Sequence, residues 1–243
     1  MSKRKDIHNS DIPVVCRACE ARHRGVCGAL TPEQLLKLSQ HTKLSSVKPD
    51  TTLLEAETPI DAYSNVVRGV VKLSKLMPDG RQQIVGLQFA PDFLGRPFQR
   101  DSGVSAEAAD QVALCSFPRR ILEQLTEESP ELEHKLHEQA LRELDEARDL
   151  MLMLGRKTAG EKVASFLLLL IDHMDPEGND DTDTVSFELP LKRADIADFL
   201  GLTIETISRQ LTKLRKAKLV EIENNRTITV PSIERLRNVS GDF

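Results

Sequence analysis

No run of apolar residues in this 243-residue chain approaches the length of a membrane span. The longest candidate, Phe166-Leu167-Leu168-Leu169-Leu170-Ile171, is about a third of what a crossing helix requires, so it reads as part of a buried helix. The basic start MSKRKDIHNS carries no apolar stretch of the kind a secretory signal needs, and a cytoplasmic protein is expected. Catalytic signatures are missing too. There is no Ser-His-Asp elbow, no G-x-x-x-x-G-K and no G-x-G-x-x-G, and the six histidines are scattered, so an enzyme is not expected. The acidic stretch DPEGNDDTD, Asp175 to Asp183, lacks the D-x-[DN]-x-[DN]-G order and the following Glu of a calcium loop, and reads as a solvated hinge. Neither internal repeats nor low-complexity segments are present.

The length suggests two domains at about 150 residues each. A net charge of -5 is unevenly spread. From Ser186 to Phe243, Lys and Arg total ten against eight Asp and Glu, giving +2 and leaving -7 for the preceding 185 residues. The acidic remainder is ordinary solubility; the basic end is where a polyanion would bind.

That end reads as a helix-turn-helix. Arg193 to Leu200 places Ile196 and Leu200 on one helical face, Gly201-Leu202-Thr203 supplies the turn, and Ile204, Ile207, Leu211 and Leu214 stripe a second helix. The opposite face of the second helix carries Glu205, Ser208, Arg209 and Lys213, side chains suited to base edges in a major groove. From Arg209 to Lys218 five basic residues, including Lys216, meet no acid. Two β-branched runs, Lys218 to Glu223 and Thr227 to Val230, flank Asn224-Asn225 and predict a wing hairpin. DNA binding is the expected function.

Cysteine is scarce and clustered. Cys16, Cys19 and Cys27 form C-x2-C-x7-C, and the fourth cysteine is Cys115. In a reducing compartment this argues against disulfides, and four thiolates can complete one all-cysteine metal site. Spacing alone leaves zinc, an iron-sulfur cluster and unmetallated thiols open. Arg17, Arg22, His23 and Arg24 surround these cysteines with cations that favour thiolates, or are plain surface charge. His23 as a ligand is the less favoured reading.

Between Leu30 and Leu125 the pattern is β-rich, with runs at Thr51–Leu54, Ser64–Ser74, Gln83–Phe89 and Ala109–Ser116 separated by turn signals such as Pro78-Asp79-Gly80. A small antiparallel β-barrel fits. After Pro130, with Ser129 as N-cap, a long helix repeats Leu136, Ala140, Leu144, Ala147, Met151 and Leu154 at spacings of four and three, a seam able to pair with its own copy. Asp145, Glu146 and Asp149 beside Ala147 would make such a dimer marginal and switchable. A further helix spans Thr158 to Met174.

IETISRQ, with Glu205, Ser208 and Arg209 as E-x-x-S-R, resembles the recognition helix of the FNR (fumarate and nitrate reduction) branch of the cAMP-receptor-protein superfamily of bacterial transcription regulators. VVRGVVKLSKLMPDGRQQIVGLQFAPDFLG is similar to the superfamily's jelly-roll sensor, and the cysteine spacing looks like that of α-proteobacterial members. The resemblance implies an α+β architecture: a cysteine-rich arm (1–29), a β-roll sensor (30–128), a dimerisation helix (129–157) and a winged helix-turn-helix (158–243). It further implies an O2-labile 4Fe-4S cluster on Cys16, Cys19, Cys27 and Cys115, and a homodimer activating under low oxygen. Its sites would be inverted repeats of TTGAT and ATCAA, where Arg209 reads guanine, Glu205 accepts from cytosine and Ser208 contacts thymine, with Thr203, Lys213 and Lys216 beside them. Asp79-Gly80-Arg81-Gln82 would face RNA polymerase. The loop RPFQRDSGVSAEAAD lacks the Gly-Glu and Arg-Ser or Arg-Thr pairs that a cyclic-nucleotide reader of the superfamily needs, so no cyclic nucleotide is expected. A thiol- or zinc-based redox sensor of the same family is the alternative.

Overall fold

The computed structural model describes residues 12–17, 19–174 and 183–241. The readings of MSKRKDIHNS and of residues 175–182 lie outside the described residues. The chain divides into two compact units, residues 1–73 with 87–144 and residues 74–86 with 145–243.

The first unit opens with a 3-10 turn at Val14–Cys16, helix α1 (Glu20–His23) and a second 3-10 turn at Val26–Ala29. Helix α2 (Pro32–Ser39) follows, and its start is locally determined: Thr31 accepts from the Gln34 amide, the Gln34 side chain accepts in return from the Thr31 amide, and Pro32 takes the first turn. Eight strands then build two sheets: β1 (Lys43–Val47), β2 (Thr52–Leu54), β3 (Ala62–Arg68), β4 (Val71–Leu76), β5 (Gln82–Gln88), β6 (Phe93–Leu94), β7 (Ser105–Ala108) and β8 (Val112–Pro118). One sheet has the order β1-β8-β3-β6 and the other β2-β7-β4-β5. Neighbouring strands that are distant in sequence make this the jelly roll that was expected.

The elements differ in detail from the expectation. Strands β1, β6 and β7 carry no strong alternation and fall outside the expected runs. The run Ser64–Ser74 is two strands, because Gly69, at φ +87°, turns the chain where a Cβ would come within 2.7 Å of the Gln111 carbonyl oxygen. Helix α2 and helix α3 (Arg119–Glu128) both lie in the stretch read as β-rich. In α3, Ile121, Leu122 and Leu125 recur at helical spacing and are buried.

Parity along the strands divides the core. Val112 and Leu114 of β8 point between the sheets with Val66, Val71, Ala106 and Ala108. Phe117 faces the other way with Tyr63, its cross-strand partner, and joins Val26, Cys27, Leu30, Leu35, Leu38 and Leu122 in a second cluster. The N-terminal arm is therefore packed on one face of the β1-β8-β3-β6 sheet. Leu132 and Leu136, from the long helix α4 (Pro130–Arg156), enter the same cluster. Ser129 caps that helix as expected, its hydroxyl accepting from the Leu132 amide at 3.3 Å.

In the second unit, α5 (Ala159–Met174) is buried along most of its length and bears the apolar run Phe166–Leu168. Around it lie β9 (Val185–Glu188), α6 (Arg193–Leu200), α7 (Ile204–Lys216), β10 (Glu221–Glu223), β11 (Thr227–Val230) and α8 (Ile233–Ser240). The sheet order β10-β11-β9 adds a third strand to the anticipated wing hairpin. Phe166 and Phe199 meet as tilted rings with centroids 5.8 Å apart, and the Lys162 ammonium donates to the Leu200 carbonyl at 3.2 Å, a cation on the last turn of α6.

Candidate DNA interface and cysteine site

The helix-turn-helix has the predicted boundaries, and its turn is built from two local devices. Gly201 adopts φ +61° after α6, and the Gly201 and Leu202 amides both return to the Ala197 carbonyl. Thr203 then caps α7 by accepting from the Thr206 amide at 3.2 Å. Ile207, Leu211 and Leu214 turn inward, and the other face stays open. Thr203, Glu205, Ser208, Arg209, Lys213 and Lys216 are all exposed, so the fold collects every predicted DNA contact onto one helix and its cap.

The charges follow the helix dipole, with Glu205 in the first turn and Lys213, Arg215 and Lys216 in the last. Hydrogen bonds at its own backbone and with Thr203 hold the Glu205 carboxyl below the usual carboxylate range, which keeps it an anionic acceptor at neutral pH. The Ser208 hydroxyl donates to the Ile204 carbonyl at 3.0 Å, leaving its lone pairs outward. The wing turn runs over Asn224, Asn225 and Arg226 between the paired Glu223 and Thr227, with Asn224 and Asn225 at φ +51° and +57°, and Arg193 donates to the Asn225 carbonyl at 3.3 Å.

The cysteines are gathered at the sheet face that carries the N-terminal arm. Cys115 lies in the middle of β8, in register with Leu44 of β1 and Asn65 of β3. Asn65 is fully buried and donates through Nδ2 to the Cys27 sulfur at 3.3 Å. Burial raises the Cys27 thiol pKa, and the nearby Cys115, Cys19 and Cys16 sulfurs add to the shift. Burial likewise lifts Cys115 to about 12, reinforced by Cys19 and Cys16. Cys16, Cys27 and Cys115 thus each feel others of the set, although these positions span a hundred residues. Among the described residues no three His, Cys, Asp or Glu side chains stand ready as a ligand group. The donor chemistry nonetheless fits a soft metal centre: four sulfurs in one neighbourhood, costly to ionise alone and readily ionised against a cation. His23 lines a cavity of about 300 Å³ together with Arg22, Cys27, Gly28 and Leu35.

Helix α4 presents a mixed surface. Ala140, Leu144 and Met151 of the expected seam are exposed and Ala147 is half-buried, whereas Leu136 is in the core of its own unit and Leu154 comes against Gly201. The open apolar stripe also includes Leu141 and Leu152, at 61% and 58% exposure. Residues Asp79 to Gln82 form the exposed tip of the β4-β5 hairpin, where Arg81 pairs with Asp79 at 2.8 Å.

A jelly roll followed by a long helix and a winged helix-turn-helix with a basic, outward recognition face defines a DNA-binding regulator. Two family models match along the chain: a cyclic nucleotide-binding domain over residues 44–129 and a Crp-like helix-turn-helix domain over residues 161–239. A probable transcriptional activator of Rhizobium leguminosarum bv. viciae is 52% identical over 97% of both chains. The transcriptional activator protein FnrL of Cereibacter sphaeroides is 36% identical, covering 96% of this chain and 95% of its own. The structure of FixK2 from Bradyrhizobium japonicum superposes with a TM-score of 0.76 at 32% identity, over 83% of this chain and 98% of that one. The chain belongs to the CRP/FNR family of transcription regulators. It is a DNA-binding transcriptional activator of the FNR/FixK group and not an enzyme. No helix among the described residues is long and apolar enough to cross a membrane.

Proposed function

We propose that this activator responds to oxygen, and that Cys16, Cys19, Cys27 and Cys115 together hold a 4Fe-4S cluster. The observation that carries this reading is geometric: Asn65 links Cys27 to Cys115 on one face of the β1-β8-β3-β6 sheet, and the arm bearing Cys16 and Cys19 packs on that same face. Such a cluster, when bound, supplies chemistry that oxygen destroys. Ligation through Cys16, Cys19 and Cys27 ties the arm to β8 at Cys115. That arm shares its core with Leu132 and Leu136, and Gln139 of α4 donates to the Phe93 carbonyl beside Asn65 at 3.4 Å. Holding the arm therefore steadies the first part of α4. We assign the remaining stripe, Ala140, Leu144, Ala147 and Met151 with Leu141 and Leu152, to the contact with a second copy.

Two copies place two α7 helices on the two halves of a palindrome of TTGAT and ATCAA. Arg209 pairs with guanine, Glu205 accepts from the opposing cytosine, Ser208 touches thymine, and Thr203, Lys213 and Lys216 hold phosphates. Asp79, Gly80, Arg81 and Gln82 offer RNA polymerase an exposed turn. Because the dimer binds the cluster better than the monomer does, oxygen loosens the dimer and with it the hold on DNA.

Iron and sulfide analysis with an absorbance spectrum, on protein purified anaerobically, tests the assignment. Equal iron and sulfide, near four of each per chain, is expected for a 4Fe-4S cluster. Zinc in their place, or bare thiols, would move the reading to a thiol- or zinc-based redox sensor using the same four residues.

A further inference from the structure

Asn65 has no role in the reading above. It is a fully buried polar residue in the centre of β3, where an aliphatic side chain would fit the strand better. Its Nδ2 group donates to the Cys27 sulfur, and its Oδ1 atom is buried with no hydrogen-bond partner. Cross-strand register places it beside Cys115, so Asn65 stands between the third and fourth sulfur. A buried amide oxygen without a partner destabilises a fold, which makes Asn65 a poor choice for stability alone. A thiolate ligand, by contrast, is only an acceptor, and an N–H aimed at it stabilises the charged, metal-bound sulfur.

We infer that Asn65 is a positioning residue of the cysteine site, its Nδ2–H holding the Cys27 sulfur in place as a metal ligand opposite Cys115. The inference rests on the four-cysteine reading but not on the identity of the metal. Groups that hydrogen-bond metal ligands are typically worth about 10- to 100-fold in metal retention. Leucine shares the branched heavy-atom skeleton of asparagine, is somewhat bulkier, and removes both the donor and the orphaned oxygen. Asn65→Leu therefore offsets its added bulk by removing the orphaned oxygen, keeping the metal-free protein folded while weakening its hold on metal. Asn65→Ser retains a hydroxyl donor and recovers part of the loss.

The experiment uses full-length protein purified anaerobically, metal content by elemental analysis, and the rate of metal release to a chelator with oxygen excluded. Wild-type protein is expected to release metal slowest, Asn65→Leu about 10-fold faster, and Asn65→Ser between them. Equal release rates in wild type and Asn65→Leu would overturn the inference and leave the four-cysteine site standing. Metal loss that tracks loss of folded protein in both variants would also overturn it, since Asn65 would then be a structural residue. Zinc in the wild-type protein would remove the cluster reading while the release rates still decide the role of Asn65. A wild-type chain with no metal at all would overturn both.

Discussion

The Arg209 guanidinium rests against the Thr206 hydroxyl at 3.5 Å, a long contact that the guanine edge proposed for it would replace at small cost. Replacing Arg209 with Ala should weaken binding by about 1–3 kcal/mol per half-site and erase the preference for guanine, as read by titrating wild-type and guanine-substituted duplexes. Lys213→Ala should instead weaken all sequences alike and reduce the salt slope by about one contact per subunit. The cysteines carry a pH signature of their own. A thiol whose folded pKa is raised adds stability below its unfolded pKa and loses it as pH climbs towards the folded value. Cys115 goes from an ordinary 9.0 to about 12, and Cys27 is raised as well. Metal-free protein should therefore lose stability between about pH 9 and 12, and denaturant titrations of Cys27→Ala should show a shallower decline. An identical decline in that variant would mean that Cys27 is not the buried group described.

Among the elements, the helix-turn-helix was the most legible in sequence because its boundaries are set by neighbours. Gly201 stops α6 and Thr203 starts α7 through hydrogen bonds spanning three to five residues. Gly201→Ala must hold a Cβ at φ +61°, which should cost about 1–2 kcal/mol in denaturant unfolding, since the nearest neighbour at 3.7 Å leaves room and only the backbone objects. The jelly roll was legible as a class but not strand by strand. Lys43–Val47 is a largely exposed edge that pairs with Val112–Ser116, and nothing near it in sequence announces that register. Asn65 was missed for the same reason, its partners Cys27 and Cys115 being remote along the chain. Capping signals for α2 were present at Thr31-Pro32-Glu33-Gln34 and could have been read. On α4 the middle of the expected seam is exposed, and the 3.6-residue pattern alone could not distinguish that part from Leu136, buried in its own unit. Leu144→Glu should convert dimer to monomer in sedimentation experiments without unfolding the chain, because Leu144 is 43% exposed in the single chain. A variant that remained dimeric would move the interface off this stripe.

For the whole molecule, sensing, pairing and transcription must be separable. Arg81→Glu should lower transcription and leave operator affinity intact, because Asp79 to Gln82 form an exposed turn remote in sequence from α7. Equal loss of both would point to misfolding. In the proposed scheme Cys115 is the residue on which the coupling depends most, since it would bring β8 to a site otherwise made by the arm. Cys115→Ser should lose metal and fall to the DNA affinity of the air-treated protein, with a serine hydroxyl standing where a soft thiolate is needed. The most direct test of the account is one titration performed twice on the same anaerobic preparation, before and after admission of air, on a duplex carrying the TTGAT and ATCAA inverted repeat. The account predicts that affinity falls in step with the cluster's absorbance. Full affinity retained after that absorbance is gone would contradict it.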